Sequence, residues 1–185
     1  MAESGWGGKR LGAGRKRHGR RGVPHFARER FANALPVHVT VRMADHVYNL
    51  RSRRCFSVLL RAFSSAAERF GVRIVQFAVL GNHMHMLVEA SSQGELARAM
   101  KGFSVRVARG LNRVMGRRGR VLGERYHSRV LHTPEDAQWI RQYVRLNALK
   151  HGFATHPTHD AYASHTIAFP LPAPRTWLLR AIAPP

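Results

Sequence analysis

Two histidines separated by one apolar residue give the first indication of chemistry in this sequence. His83 and His85 lie in the run GNHMHMLVE at residues 81–89, which has the character of a β-strand. Alternate side chains of a strand share a face, so the two imidazoles would project to the same side with their β-carbons roughly 6.5–7 Å apart. This spacing lets both rings bind one divalent metal ion. The alternative is a polar strand face that carries two histidines by chance.

Tyr143 and Asn147 form a second candidate pair. They are four residues apart in a segment with helical periodicity, which puts them on one face of a helix. A neutral phenol is a poor nucleophile, but it can attack a phosphate that a metal ion has polarised. The side-chain oxygen of Asn147 could join the two imidazoles as a ligand. The four residues would then supply a metal platform and a nucleophile.

The composition points to a polyanionic partner. The 185 residues include 31 Lys and Arg against 10 Asp and Glu, a formal net charge of +21, which favours nucleic acid. The length is that of one domain with tails. We expect no membrane partner, because no apolar run could span a bilayer and the N-terminus lacks the apolar core of a secretory signal. The single cysteine, Cys55, excludes a disulfide framework. It fits a cytoplasmic, nucleoid-associated protein.

Basic residues are concentrated in two parts of the chain. Residues 1–33 are rich in Arg, Lys and Gly and poor in apolar side chains, which predicts a disordered arm that tracks phosphates or is merely solvated. The second part runs from residue 98 to 129, where an aromatic ring is interleaved with arginines, as expected where bases stack beside a phosphate track. The candidate DNA-binding residues are Arg98, Arg106, Arg109, Arg113, Arg117, Arg118, Arg120, Arg125, Tyr126 and Arg129.

The spacing of apolar residues predicts seven elements. Period-2 alternation and short apolar runs predict strands at 37–43, 72–80, 83–89 and about 126–132. Steps of three and four residues predict helices at about 50–70, ended by Gly71, at about 96–114, and from Pro134 to near Gly152. Residues 153–185 contain several prolines and predict an irregular tail, anchored by Trp177, Leu178 and Leu179.

This element order predicts an α+β fold. The first six elements follow the ferredoxin-like split βαβ pattern, with a central antiparallel sheet covered by helices, and an additional C-terminal helix carries the tyrosine. The first strand and the histidine strand are then neighbours, which would put His38 or Thr40 beside the metal pair. His38 is a candidate ligand, DNA contact or satisfied polar residue. The predicted domain spans residues 34–152, between the arm at 1–33 and the tail at 153–185.

The same residues resemble those of the single-tyrosine HUH transposases. His83-Met84-His85 is similar to their histidine–hydrophobic–histidine motif, and the segment 143–147 is similar to their nucleophile helix, in which an amide side chain follows the tyrosine by four residues. The resemblance covers about residues 36–152. It is strongest to the transposase-like proteins associated with repetitive extragenic palindromes. Many members have proline after the asparagine, where this chain has Ala148.

The resemblance implies a metal-dependent transposase that cleaves and rejoins single-stranded or hairpin DNA. Tyr143 would form a 5′-phosphotyrosine intermediate and release a 3′-hydroxyl, with Mg²⁺ or Mn²⁺ bound by His83, His85 and Asn147. Related enzymes complete this site within one chain or across a homodimer, and both arrangements stay open. The alternatives are a non-catalytic DNA- or RNA-binding module of the same fold, or a metal nuclease that uses water as its nucleophile.

Overall fold

A five-stranded antiparallel sheet forms the centre of the protein, in the spatial order β2-β3-β4-β1-β5. The structure is a computed structural model that describes residues 27–182, so most of the predicted arm at 1–33 lies outside the described residues. The strands are β1 (Leu35–Arg42), β2 (Glu68–Arg69), β3 (Val72–Val79), β4 (His83–Ala90) and β5 (His127–Val130). The helices are α1 (Arg53–Ala66), α2 (Gln93–Val114), α3 (Pro134–Lys150) and α4 (Trp177–Ala181).

The predicted ferredoxin-like arrangement is confirmed. Without the two-residue β2, the order β3-β4-β1-β5 is that of a split βαβ sheet, in which every neighbouring pair is antiparallel. The histidine strand β4 pairs with β1 at the centre of the sheet, as expected from the element order. The sequence therefore brings its chemistry to two adjacent strands inside the sheet, neither of which is an edge strand.

The two faces of the sheet have different partners. On β4, Met84, Met86 and Val88 point into the main core, which α1 and α2 cover. Leu87 points to the other face and joins a smaller apolar cluster with α3 and α4. Because side chains alternate along a strand, the odd-numbered His85 also faces α3. The tyrosine helix and the histidines thus share one side of the sheet.

The predicted start of α3 is also found. The Thr133 hydroxyl accepts a hydrogen bond from the backbone N–H of Asp136 at 3.1 Å, and Pro134 occupies the first turn. Glu135 and Asp136 lie at the positive end of the helix dipole, where acidic side chains stabilise a helix. These local signals fix where the helix begins and therefore which of its residues face the sheet.

The prediction of one helix over residues 50–70 is wrong at both ends. The helix covers only Arg53–Ala66, and the next residues form β2, which pairs with the start of β3. Phe70, whose spacing extended the apolar stripe, is exposed. Gly71, predicted to end the helix, instead turns the chain between β2 and β3 with a φ of +73°. Residues 68–69 pair with β3 instead of adding a further turn to the helix.

The C-terminal tail packs against the same sheet. It is irregular apart from a 3₁₀ turn, Pro157–His159, and the short helix α4. Leu178 and Leu179 are buried as predicted, but Trp177 is 64% exposed and is not an anchor. The carboxylate of Glu89 accepts hydrogen bonds from the backbone N–H of Thr176 and from its hydroxyl, both at 2.6 Å, and so holds the start of α4. Within residues 27–182, no helix has the length and apolar character that crossing a membrane would require.

Candidate active site between the central strands and helix α3

Polar side chains occupy the centre of the sheet on the face that α3 covers. In the register of β1 and β4, Thr40 lies opposite His85 and Arg42 lies opposite His83. His38 continues the same row along β1, because it is two residues before Thr40. On the other side of β1, β5 adds His127 and Arg129 opposite Thr40 and His38. This row of basic and hydroxyl groups in the middle of a sheet is the feature from which the site is built.

The two motif histidines converge as their spacing predicts. Their ring centroids are 5.0 Å apart. His83 is half-exposed, and the distance from its Nδ1 to Oδ1 of Asn82 is 2.8 Å. In that hydrogen bond the imidazole donates and the amide oxygen accepts, so Nε2 of His83 carries the lone pair.

Only one of the two ring nitrogens of His85, Nδ1, has hydrogen-bonding neighbours among the described residues. Its Nδ1 lies 3.0 Å from Nε2 of His38 and 3.1 Å from the hydroxyl oxygen of Thr40. Its Nε2 is buried and has no hydrogen-bond partner among the described residues. A buried polar atom without a partner is uncommon in folded proteins and calls for a physical reason. A ligand that accepts the lone pair of Nε2 would be such a reason.

Burial lowers the pKa of all three imidazoles. Desolvation is the largest cause for each: it lowers the pKa of His38 to about 4 and that of His85 to about 3. The pKa of His83 is lowered in the same direction. Coulombic interaction with a neighbouring imidazole, His127 for His38 and His151 for His83, makes a smaller contribution of the same sign to the pKa. The imidazoles are therefore neutral at pH 7, which is the form that binds a metal ion.

Helix α3 presents a row of residues at steps of four to these histidines. The Tyr143 ring centroid lies 5.3 Å from that of His85, and the His151 ring lies 5.7 Å from that of His83. Asn147 stands between Tyr143 and His151 on the same helix face, so it faces the histidine pair. It is fully buried, and neither its amide oxygen nor its amide nitrogen has a hydrogen-bond partner among the described residues.

The donor set fits a divalent metal ion. His85 and Asn147 both have buried polar atoms without partners, and His83 offers a third donor. Within residues 27–182 no group of three His, Cys, Asp or Glu side chains could hold a metal ion. The candidate ligands are therefore few: two imidazoles and one amide. Mg²⁺ is usually bound by few protein groups, because it keeps several waters and takes oxygen atoms from substrate phosphates. A site with few protein donors is therefore adequate for that ion.

The phenol of Tyr143 has neighbours that the sequence analysis did not assign to the site. Its ring stacks on that of Trp139, with centroids 5.3 Å apart and planes 13° apart. The ammonium of Lys150 lies 5.0 Å from the ring centroid. A cation over an aromatic ring is attracted to the ring face, so this contact helps to fix the position of the ring. The step of four from Tyr143 back to Trp139 is visible in the sequence and could have identified that neighbour, as the step from Asn147 to His151 could have identified His151 beside His83.

The candidate DNA-binding residues fall into separate groups. Arg98, Arg106, Arg109 and Arg113 lie on α2, so the sheet separates them from Tyr143. Arg117, Arg118 and Arg120 are exposed in the loop after α2, which is joined to the end of β1 by a hydrogen bond from Gly123 N–H to the Arg42 carbonyl. Arg125 is exposed just before β5.

The two remaining candidates, Arg129 and Tyr126, each contact a charged side chain. Arg129 lies on the α3 face and forms an ion pair with Asp136 at 2.6 Å. Tyr126 is half-buried, and the guanidinium of Arg28 lies 3.7 Å from its ring centroid. One face of this ring is thus covered by the protein, and a base could stack only on the other.

An open groove of about 620 Å³ lies beside His83. Its lining includes Arg42, Asn49, His151 and Phe153. Phe153 is 43% exposed, and the guanidinium of Arg51 packs 4.8 Å from its ring centroid. The groove offers a cation, amide groups and an aromatic ring directly next to the histidine pair.

The fold and the site together define a class of domain, in which a ferredoxin-like sheet carries two histidines on a central strand and a neighbouring helix carries a tyrosine. A family model described as "Transposase IS200 like" matches residues 32–147 of this sequence. The chain belongs to the IS200-like transposase family. The match covers β1 to β5 and most of α3, and it ends at Asn147.

One solved structure has the same fold. The chain is similar to a REP-associated tyrosine transposase bound to a REP hairpin, with a TM-score of 0.64 and 14% identity over 77% of this chain and 82% of that one. A weaker likeness, with a TM-score of 0.45 and 18% identity, is to a protein of Deinococcus radiodurans R1 assigned as a transposase, over 70% of this chain and 95% of that one. No curated protein matches the sequence.

Proposed function

We propose that this chain is a single-tyrosine transposase that cleaves and rejoins single-stranded or hairpin DNA. The observation that carries the proposal is the approach of the Tyr143 and His85 rings to 5.3 Å within one chain, with the buried Asn147 four residues further along the same helix. Membership of the IS200-like family supports the same reading. The REP hairpin bound by the similar structure supports hairpin DNA as the substrate class.

His83, His85 and Asn147 would hold Mg²⁺ or Mn²⁺ at this site. When bound, the ion would withdraw charge from the scissile phosphate and make its phosphorus atom more electrophilic. The protein's own contribution is to present two neutral imidazoles and an amide oxygen on rigid elements. Burial of His85 and Asn147 excludes water that would otherwise compete for these donors.

Tyr143 would act as the nucleophile. Its phenol oxygen attacks phosphorus, and the bond from phosphorus to the 3′-oxygen of the preceding nucleotide breaks. The phenol proton leaves the tyrosine and a proton is taken up by the departing 3′-oxygen, so the products are a 5′-phosphotyrosine and a free 3′-hydroxyl. Attack by a 3′-hydroxyl on the phosphotyrosine reverses the step and completes strand transfer. The ammonium of Lys150, 5.0 Å from the Tyr143 ring centroid, would help to hold the ring in place by a cation–π contact.

The DNA strand would reach Tyr143 through the groove beside His83. Arg42 could bind a phosphate there, and the exposed ring of Phe153 could stack on a base. The exposed arginines of the loop after α2 and of α2 itself would hold phosphates farther from the reaction. One chain supplies the histidines, Tyr143 and Asn147, which favours an active site formed in cis. That the protein forms a homodimer, and that it is associated with the nucleoid in the cytoplasm, are predictions that the structure does not test.

A covalent-adduct assay tests this function. The protein is incubated with Mn²⁺ and a pool of hairpin oligonucleotides with randomised flanks, labelled at the 3′ end so that the attached strand carries the label. We expect a labelled band at the mobility of the protein in a denaturing gel. Tyr143→Phe should abolish the band with hairpin binding unchanged, whereas Tyr48→Phe, an exposed tyrosine, should keep it.

Two other results would point to the alternatives. DNA cleavage without a labelled protein band, and equal in Tyr143→Phe, would indicate a metal nuclease that uses water. Binding of the hairpin with neither cleavage nor an adduct would indicate a non-catalytic nucleic-acid-binding module. In a His83→Ala variant the adduct should be lost, and its persistence would remove this histidine from the mechanism.

A further inference from the structure

A third histidine lies against the proposed metal ligand His85. His38 is 8% exposed, and its ring lies beside that of His85 with centroids 5.2 Å apart and planes 21° apart. Its Nε2 lies 3.0 Å from Nδ1 of His85. In the strand register His38 is opposite Leu87, so it reaches His85 diagonally across the β1–β4 pair. Nothing in the proposed reaction uses this imidazole.

The hydrogen bond between the two rings admits two proton positions. If Nε2 of His38 donates, Nδ1 of His85 accepts, and the proton of a neutral His85 sits on its Nε2. That N–H would be buried without an acceptor among the described residues, and it would occupy the position from which His85 could bind a metal ion. If Nδ1 of His85 donates, Nε2 of His38 accepts, and Nε2 of His85 carries a lone pair. Only the second arrangement leaves His85 able to bind a metal ion.

Thr40 does not discriminate between these arrangements. Its hydroxyl oxygen is 3.1 Å from the same Nδ1 of His85, but a hydroxyl can either donate to that nitrogen or accept from it. An imidazole nitrogen is a donor or an acceptor according to the tautomer of its ring. Because Nε2 of His38 can accept from Nδ1 of His85 only in one pair of tautomers, the tautomers of the two rings are coupled through this hydrogen bond.

We propose that His38 is a positioning residue that accepts the Nδ1 proton of His85 and thereby keeps Nε2 of His85 free for the metal ion. This inference rests on the proposed function for the identity of the ion. An imidazole ligand whose second nitrogen donates to a fixed acceptor has a defined tautomer and ring orientation, and loss of such an acceptor lowers metal affinity by about 10–100-fold. The two rings are nearly coplanar, with 21° between their planes, as expected for a hydrogen bond that lies in the plane of both rings.

Two measurements on the wild type and three variants test the proposal. Long-range proton–nitrogen NMR spectra at pH 7 report which nitrogen of His85 carries the proton, and electron paramagnetic resonance titration measures the dissociation constant for Mn²⁺ without DNA. The variants are His38→Leu, which removes the acceptor, and His38→Gln, whose side-chain oxygen can replace it. His132→Leu, at an exposed histidine, is the matched control.

We expect the wild type to have the proton on Nδ1 of His85. His38→Leu should bind Mn²⁺ about 10–100-fold more weakly, whereas His38→Gln should restore most of the affinity and His132→Leu should not change it. A proton on Nε2 of His85 in the wild type would overturn the proposal, even if His38→Leu fails to fold. Unchanged Mn²⁺ affinity in a folded His38→Leu would also overturn it and would leave the proposed function intact. Absence of Mn²⁺ binding by the wild type would overturn both.

Discussion

Replacement of Asn147 by leucine should stabilise the metal-free protein and remove its metal site. Asn147 is fully buried, and both ends of its amide lack hydrogen-bond partners among the described residues. Each unsatisfied buried polar group destabilises a fold by about 1–3 kcal/mol, and a leucine of similar size carries none. We therefore expect Asn147→Leu to raise the free energy of unfolding by about 2 kcal/mol, which for a chain of this size raises Tm by about 4–8 °C.

Thermal unfolding with and without Mn²⁺ separates stability from function. A ligand that binds only the folded state stabilises it by about 2.7 kcal/mol at a concentration of 100 times its Kd. Wild type should gain this amount in Mn²⁺ and Asn147→Leu should gain nothing, so the difference between them should vanish or reverse. Asn147→Asp, which keeps a side-chain oxygen but buries a charge, should be less stable without metal and should recover in Mn²⁺.

Asn112 provides the control for this reasoning. Its amide oxygen is also buried without a partner, but its amide nitrogen donates to the Gly119 carbonyl at 2.8 Å, so Asn112→Leu loses a real hydrogen bond and should not stabilise the protein as Asn147→Leu does. If Asn147→Leu also lowers Tm, or if Mn²⁺ stabilises it as much as wild type, the assignment of Asn147 as a ligand is refuted.

Three further predictions concern pH, packing and DNA affinity. Burial lowers the pKa of His38 to about 4 and of His85 to about 3, so the unfolded chain binds more protons than the folded protein below pH ~6.5. The free energy of unfolding should therefore be highest above that pH and should fall on acidification by up to ~1.4 kcal/mol per pH unit for each histidine. Urea titrations at pH values from 7 to 4 measure this free energy, and a value that does not change with pH would contradict the burial of neutral imidazole rings. Gly110→Ala would put a methyl group 2.4 Å from Cγ1 of Val58 and should lower stability by about 1–3 kcal/mol, with recovery in the double variant with Val58→Ala. Arg109→Gln should reduce the slope of log binding constant against log salt concentration for hairpin DNA by about 0.9, as measured by fluorescence anisotropy. An unchanged slope would show that this arginine does not contact a phosphate.

Most of the fold could be predicted because its signals are local. Period-2 alternation marks β1, and the cap at Thr133 marks the start of α3, so the face of that helix which carries Tyr143 and Asn147 follows from counting. The topology then dictates that β1 and β4 are neighbours. Helix α1 was extended too far because Phe70 continues the spacing of apolar residues although it lies in a turn.

The hydrogen bond between His38 and His85 could not be predicted in the same way. It depends on the register between two strands that are more than forty residues apart in the sequence, and on a diagonal contact within that register. The burial of Asn147 without partners is likewise a property of tertiary packing. Lys150 was missed for another reason, since a lysine at the end of a helix ordinarily interacts with the helix dipole and solvent.

The most direct measurement of the central claim is the identity of the residue that carries DNA. After reaction with a hairpin in Mn²⁺, proteolysis and mass spectrometry locate the peptide bearing the 5′-phosphate of the attached strand. The geometry of helix α3 predicts that the nucleotide is on Tyr143, beside His85. A nucleotide on any other tyrosine, or cleaved DNA with no modified peptide, would contradict the account.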